Sequence, residues 1–474
     1  MLNLRSFHCL CLAAALWPPM FAADSAPTYF RSDGGVASTV EPLPGHLDPK
    51  ANLSWRTPLD SGHSTPIAVA GKILVTSFNP AVRELATVAL DEQTGRVLWK
   101  AAVPTTRIEE FHPQSGNAAM ATPASDGQRV FVLFGSYGLL CYDLEGKLVW
   151  ERPLGPFQDE YGSGSSPTLL DDKLIVQEDH DIDSFLMAVD RYTGRTIWRT
   201  ARPQAVRSYS TPIVWQQNGR KQIIAAGALE VAGYDAGSGE KLWWINGLAR
   251  IVIPMPVPVG NMIYMASWAP GADAGQRISL ESWQQALAKW DKNKDGKLAK
   301  SEIDDKEVLT RFYRMDLDQN GQLDQPEWDR HAQVFRLAQN SVLALKPEGQ
   351  GDLTKSAVVW KHPRGVPYVS TPLVHQGIFW MVKDGGLVTK LDAATGRLLQ
   401  QERLPALGNY FASPVAGDGK VYFVSESGAI SVIADEPEWR VISTSNLNEK
   451  TYASPLLVHG KVFIRTAKAL YCFR

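Results

Sequence analysis

The sequence predicts an all-β fold, an eight-bladed β-propeller closed by its own N-terminal strand and carrying a small α-helical insertion. Three observations predict it. One phrase recurs: Ala89 to Trp99 (ALDEQTGRVLW), Cys141 to Trp150, Ala188 to Trp198, Gly233 to Trp243 and Lys390 to Gln400. A second phrase, a small or hydroxyl residue and then Pro, precedes each copy, at Pro66, Pro123, Pro167, Pro212 and Pro372. The uninterrupted period is roughly 41 to 45 residues, the size of one four-stranded blade. Third, the chain stops one strand short of a full last blade, and the missing strand stands at the other end: Leu53 to Leu59 matches Leu148 to Leu154.

Each blade follows one logic. A strand starts at the Ser/Thr-Pro, and a β-rich run follows, such as Gly71 to Thr76. The next strand ends in Asp, a Thr-Gly turn reverses the chain, and a final strand ends near Trp. The Asp accepts from the turn backbone, and Gly supplies the positive φ. The Trp is suited to wedge between neighbouring blades. Weaker copies open at Ser413-Pro414 and Ser454-Pro455. One blade, the fifth, is interrupted: it begins at Pro254 to Ser267, resumes at Ser341 to Leu345, and closes with Trp360. Pairing of Leu53 to Leu59 with the last blade leaves the ring without an open sheet edge.

Composition bounds the rest. With 44% hydrophobic and 21% charged residues the chain has ample core material, and a net charge of -2 gives no basic field for nucleic acid. Residues 1–23 read as an export signal, with Arg5, an apolar Leu10 to Leu16 and small residues at Ala22-Ala23. Residues 24–52 form an extended Pro/Gly-rich segment, and 53–474 the propeller. Neither Cys9 nor Cys11 has the context of a lipid anchor, and Ile251 to Trp268 is too broken by Pro and Gly to span a bilayer. The expected location is periplasmic or secreted, with no membrane anchor. Cys141 and Cys472 fill the same buried repeat position in separate blades and read as unpaired core thiols.

The repeats resemble those of the pyrroloquinoline-quinone-type, or quinoprotein-like, β-propellers. Their A-x-D-x-x-T-G-x-x-x-W phrase is complete in Ala89 to Trp99 and Ala188 to Trp198 and partial elsewhere. The resemblance covers nearly everything from Leu53 to Arg474 except the insertion, and it implies the fold without fixing an activity. Members of that family include quinone-dependent alcohol dehydrogenases and non-enzymatic propellers such as the lipoprotein subunit of the outer-membrane β-barrel assembly machinery. The dehydrogenases commonly carry two adjacent cysteines. This sequence has no such pair and no c-type haem motif, so bound pyrroloquinoline quinone is not expected.

The insertion, 279–335 in the fifth blade, carries two matches to the EF-hand calcium loop. In the first, Asp291, Asn293, Asp295, the Lys297 carbonyl and Glu302 are the expected ligands, with Gly296 at the sharp turn. In the second they are Asp316, Asp318, Asn320, the Gln322 carbonyl and Glu327, with Gly321. Calcium takes six to eight oxygens, and each loop offers them from one short turn. Leu280, Trp283, Leu287 and Trp290 recur at helical spacing before the first loop, and Pro326 opens a helix after the second. Ile303 to Met315 is long enough for a single shared helix of about 20 Å. Leu298 and Leu323 occupy the same loop position and are expected to pair.

The residues just before each Ser/Thr-Pro are expected to cluster near the ring axis. They are His63, Asn117, Tyr161, Arg207, Tyr209, Arg250, Tyr368, Tyr410 and Tyr452. They make either an aromatic funnel for a protein or glycan ligand or, more commonly for such positions, filling between strand ends. The acidic run Gln177 to Asp183 reads as a solvated hairpin tip rather than a cation site. The sequence thus points to a calcium-binding extracytoplasmic propeller that binds or scaffolds without catalysis, the alternative being a quinone-dependent oxidoreductase.

Overall fold

The computed structural model describes residues 26–38, 41–105, 108–112, 114–159, 161–217, 219–271, 273 and 277–474. The expected export signal lies outside them. Eight antiparallel sheets make the blades of one propeller. Blade 1 runs through Ile67–Val69, Lys72–Asn79, Glu84–Asp91 and Val97–Pro104, and the following blades repeat this meander. The inner strands are buried on both faces, as in Gly138–Asp143, while outermost strands such as Val97–Pro104 alternate between exposed and half-buried positions. That contrast follows from position: a middle strand is covered by a blade on each side, the last faces solvent.

The ring closes as the sequence predicts. Leu53–Pro58 pairs antiparallel with Ala469–Phe473. Thr57 Oγ1 donates to the Gly95 carbonyl at 2.6 Å, and Trp55 Nε1 to that of Glu92 at 3.3 Å, so the closing strand also grips blade 1. Blade 5 takes strands Val257–Val259 and Met262–Ser267 before the insertion and Ser341–Leu345 and Val358–His362 after it. Apolar clusters fill the seams between neighbouring blades; Val75 and Phe463, for example, meet between blades 1 and 8.

Both repeated phrases act between blades as well as within them. The Asp–Thr–Gly turn is held as expected: in blade 3 the Thr193 amide and hydroxyl both donate to Asp190 Oδ1 at 2.8 Å. The turn then receives the Trp of the preceding blade. Trp150 Nε1 donates to the Arg191 carbonyl at 3.0 Å, and Trp99 Nε1 to that of Leu144 at 2.8 Å. Gly194 has φ +70°, and a Cβ there would lie 2.8 Å from Trp150 Cε3. Glycine therefore meets two demands at once, the turn's handedness and the approach of an indole face.

The Ser/Thr-Pro hydroxyls form a chain around the axis. The amide of Thr65 donates to Thr122 Oγ1, that of Thr122 to Ser166 Oγ, and that of Ser166 to Thr211 Oγ1, each at 3.0 Å. The chain resumes from the Met255 amide to Thr371 Oγ1 at 3.1 Å, and passes through Ser413 and Ser454 back to Thr65 at 2.9, 2.9 and 3.2 Å. Met255 of blade 5 has no hydroxyl, so the circuit is interrupted only there.

The N-terminal segment is docked across the ring. Arg31 is buried and donates to the carbonyls of Pro414 at 2.8 Å and Pro372 at 3.1 Å. Leu43 and Leu47 pack into the seam of blades 7 and 8. Cys141 and Cys472 are buried and unpaired, and burial pushes their thiols up to about 12 and about 11.

One expectation is corrected. Of the run Gln177 to Asp183, only Ile182 and Asp183 form an exposed tip; Gln177 to Asp181 are all at most 2% exposed. Arg202 donates to both oxygens of Asp179 at 2.8 and 3.0 Å, and Arg207 binds Asp181. His180 lies with Nε2 3.0 Å from Glu178 and Nδ1 3.6 Å from Asp159, under the ring of Phe157. The acids are buried because cations from later loops meet them there. Burial pulls the His180 imidazole down, but Asp159 and Glu178 outweigh it and hold it up at about 10.

Two predictions follow from these networks. Ser413→Ala leaves the Thr371 amide buried without its acceptor and should cost about 1–3 kcal/mol in urea unfolding; an unchanged midpoint would mean the circuit is decorative. His180→Leu strands buried carboxylates and should cost about 3–5 kcal/mol at pH 6. His180 is protonated in the fold well above its unfolded range, so its contribution is complete below about 6.5 and is lost as pH rises towards about 10. The gap between variant and wild type should therefore narrow over that interval, and a constant gap would count against a charged His180.

Candidate metal centre and axial cavity

The insertion folds as two helix–loop–helix units sharing their middle helix. Helix α1 is Trp283–Trp290, α2 Lys306–Met315 and α3 Gln325–Leu337. Each start is signalled in sequence: Ser282 and Gln285 form a capping box on α1, Asp305 caps α2, and Asp324 with Glu327 boxes α3. Trp283, Trp290, Phe312, Met315 and Trp328 form the unit's own core. Leu298 pairs with Leu323 in a two-stranded ladder that ties the loops together, both side chains fully buried.

The two loops share a backbone plan. Gly296 and Gly321 have φ +78° and +83°. Their amides donate to Asp291 Oδ2 at 3.1 Å and Asp316 Oδ2 at 2.9 Å, which turns each loop around its first Asp. Glu302 accepts from the Lys292 and Ala299 amides at 3.1 and 2.9 Å, and Glu327 from those of Leu317 and Asp324 at 2.6 and 3.1 Å. The loops differ in convergence. Carboxylate oxygens of Asp316, Asp318 and Glu327 all lie within 4.8 Å of one another, and no such trio occurs in the first loop. The internal links are alike: the Asp295 amide joins Asp291 and Asn293, as the Asn320 amide joins Asp316 and Asp318. Asn320 Nδ2 donates to Asp318 at 2.7 Å, and the Gln322 amide to Asn320 Oδ1 at 2.8 Å. Lys297 and Gln322 stand at the same step of the two loops, on the approach to the paired leucines. Burial, partly offset by backbone amides, pushes the Asp316 and Glu327 carboxyls up, and Asp318 and Asp324 push the same way. These acids resist ionising together, and a divalent cation relieves that conflict.

The ring axis holds a cavity of about 520 Å³. Of the residues expected there, His63, Tyr161, Tyr209, Tyr368 and Tyr452 line it. The rings are paired: His63 stacks on Tyr452 at 4.0 Å, Tyr161 meets Tyr209 edge-on at 6.1 Å, and Tyr368 meets Trp268 at 5.2 Å. Tyr209 donates to Asp159 at 2.7 Å. The hydroxyl circuit contributes Thr65, Thr122, Ser166, Thr211, Thr371, Ser413 and Ser454 to the same wall, and Phe30 reaches it from the N-terminal segment. His63 is held down to about 3, by burial first and then by Arg465 and Lys450, so it faces the cavity uncharged. No Lys or Arg is among the described lining residues.

The other four expected residues lie elsewhere. Asn117 is buried and donates to Ser61 at 3.0 Å. Tyr410 is buried with its hydroxyl on the Ala406 carbonyl at 2.8 Å. Arg207 adopts φ +52° and turns to Asp181 beneath the insertion. Arg250 donates to the Pro270 carbonyl at 2.8 Å, where the insertion begins. Phe411 lines the cavity in place of its neighbour Tyr410; it stands two residues before Ser413, the offset that His63, Tyr209 and Tyr452 have in their blades, so the repeat could have found it. His112 also lines the cavity, ten residues before Thr122, where the repeat gives no signal.

Comparison with known proteins agrees with this architecture. No curated protein sequence matches the chain. Among solved structures it resembles BamB from Moraxella catarrhalis, with TM-score 0.53, 12% identity and coverage of 89% of this chain and 100% of that one. A europium-containing methanol dehydrogenase gives TM-score 0.56 at 10% identity, covering 92% and 88%. The computationally designed Ika8 protein gives 0.56 at 8%, covering 89% and 99%. Likenesses at such identities speak to the propeller alone. The family model described as outer membrane protein assembly factor BamB matches residues 84–250 and 352–474, on either side of the helical insertion. The chain belongs to this family of PQQ-type β-propellers.

Proposed function

We propose that this protein is a calcium-binding extracytoplasmic propeller that binds or scaffolds without catalysing a reaction. One observation carries the reading: Asp316, Asp318 and Glu327 converge within 4.8 Å on a glycine-turned loop, in an insertion whose two loops follow the EF-hand pattern. Asp291, Asn293, Asp295, the Lys297 carbonyl and Glu302 would hold a first calcium. Asp316, Asp318, Asn320, the Gln322 carbonyl and Glu327 would hold a second. Bound calcium supplies charge neutralisation and fixes α2 and α3 relative to each other. A periplasmic or secreted location is supported by the description of the family as an outer-membrane assembly factor. No described helix is long and apolar enough to cross a membrane.

The axial cavity supports a binding role. Aromatic faces and hydroxyls, with one carboxyl group at Asp384 and no lysine or arginine, suit a protein segment or glycan without negative charge. The same composition argues against the oxidoreductase alternative. Pyrroloquinoline quinone is a polycarboxylate, and the described lining offers no cation to clamp it and no adjacent cysteines.

Calorimetry should find two calcium steps, the tighter at the second loop. Its carboxylates converge, whereas Lys292, Lys294, Lys297 and Lys300 oppose a cation at the first. Glu327→Gln should weaken the tight step by more than about tenfold, a loss that outer-shell partners alone can produce, and Glu302→Gln should spare it; the reverse result overturns the ranking. Chelation should loosen the helices while the propeller keeps its melting temperature. Incubation with pyrroloquinoline quinone and calcium, followed by desalting, should leave no chromophore with the protein. A retained stoichiometric quinone spectrum would replace this reading with the oxidoreductase one.

A further inference from the structure

A second cavity, of about 500 Å³, lies where α2 and α3 face the propeller. Six arginines line it: Arg207 and Arg250 from the ring, Arg277 just before the insertion, and Arg311, Arg314 and Arg330 within it. No Asp or Glu is among its described lining residues. Asp181 pairs with Arg207, and Glu307 lies 3.9 Å from Arg311. The Nε atoms of Arg277 and Arg330 are buried without a hydrogen-bond partner. Ile278 and Phe335 make part of an apolar wall beside them.

We propose that this cavity binds a phosphate monoester with an apolar body. Guanidinium forks match the oxygens of a tetrahedral dianion two at a time, and Arg holds its charge when partly buried. Several of them on low-dielectric walls focus a positive potential into the hollow, and the apolar wall accepts the rest of the ligand. His331 on the same wall senses that field: burial first, then Arg330, Arg311, Arg250 and Arg314, hold its imidazole down to about 4. Arg330 is itself held down to about 10 by burial and by Arg207, with Asp181 opposing. Cations packed this closely repel, and a dianion among them removes the conflict. The ligand would touch both the ring and the insertion and so bridge them.

The probe is phenyl phosphate, titrated calorimetrically into the full chain against phenol and inorganic phosphate. Phenyl phosphate should bind and phenol should not, with inorganic phosphate competing more weakly. Arg330→Gln and Arg314→Gln should each weaken binding by about tenfold, the worth of a charged hydrogen bond, while the exposed Arg220→Gln on blade 4 should not. Arg330→Gln should unfold at the same temperature as wild type or higher, since it relieves repulsion; Arg314→Gln, on an exposed residue, carries the same expectation without risk to the fold. A free ester and a lipid headgroup share this chemistry. Co-sedimentation with vesicles containing phosphatidic acid, but not with phosphatidylcholine alone, assigns the ester to a lipid; binding of the soluble probe alone assigns it to a free molecule. The proposal is overturned if wild type gives no heat with phenyl phosphate, if phenol binds equally, or if both arginine variants bind as wild type does.

Discussion

The circuit of hydroxyl-to-amide hydrogen bonds around the axis is the constraint on which the rest of the structure depends. Blades are separate sheets, joined to their neighbours by apolar seams whose dispersion contacts are individually weak and carry little directional preference. A hydrogen bond has direction and length. Thr65, Thr122, Ser166, Thr371, Ser413 and Ser454 each give their blade a donor to one neighbour and an acceptor to the other, while Thr211 only accepts and Met255 only donates, and together these links fix the rotation of the blades they join. The Trp-on-Gly contacts at the blade ends fix the same rotation from further out. Between these two sets of fixed points, side chains that reach the axis have defined places, and the aromatic cavity exists because of it.

Blade 5 shows what happens where the constraint lapses. Met255 replaces the hydroxyl, and the seam of blades 4 and 5 is held by different means. Trp243 stays inside its own blade, with Nε1 on Gln222 at 2.8 Å, and Trp215 crosses the seam to the Gly260 carbonyl at 3.0 Å. Gly351–Asp352 adds a short parallel strand to blade 4. The helical insertion leaves the same blade, and Val334 and Ala338 of its last stretch pack on Leu229, Ala249 and Ile251 of the ring. The interrupted position in the circuit thus coincides with the blade from which the helical insertion leaves.

Much of this was legible in the sequence because it is local or periodic. The Asp–Thr–Gly–Trp phrase states its turn within five residues, each loop of the insertion states its glycine turn and its two flanking helices within a short stretch, and the match of Leu53 to Leu59 with other fourth strands reveals closure. Partnerships between distant residues were not legible. Asp179 and Asp181 read as solvent-facing because nothing near them in the chain marks Arg202 and Arg207 as their counter-charges. Arg207 and Arg250 lie in the same short stretch before the Pro phrase as the tyrosines, yet a left-handed backbone at Arg207 and the start of the insertion beside Arg250 carry both away from the axis. The role of the Ser/Thr hydroxyl was hidden for the same reason: its partner is always one blade away.

The closing strand has a consequence for how the chain comes to its shape over time. Arg56 meets Tyr471 across 415 residues of sequence. A strand formed early in synthesis therefore has no partner until nearly every later blade has been made. Pairings this remote are slow to find, since loop-closure entropy must be met before any contact forms. Until then the incomplete ring leaves the edge of Ala469–Phe473 unpaired and an uncovered apolar sheet face at each end of the stack. The propeller is finished by a single late event that joins its oldest strand to its youngest, and the interval before that event is when the chain most needs shelter from pairing with another copy.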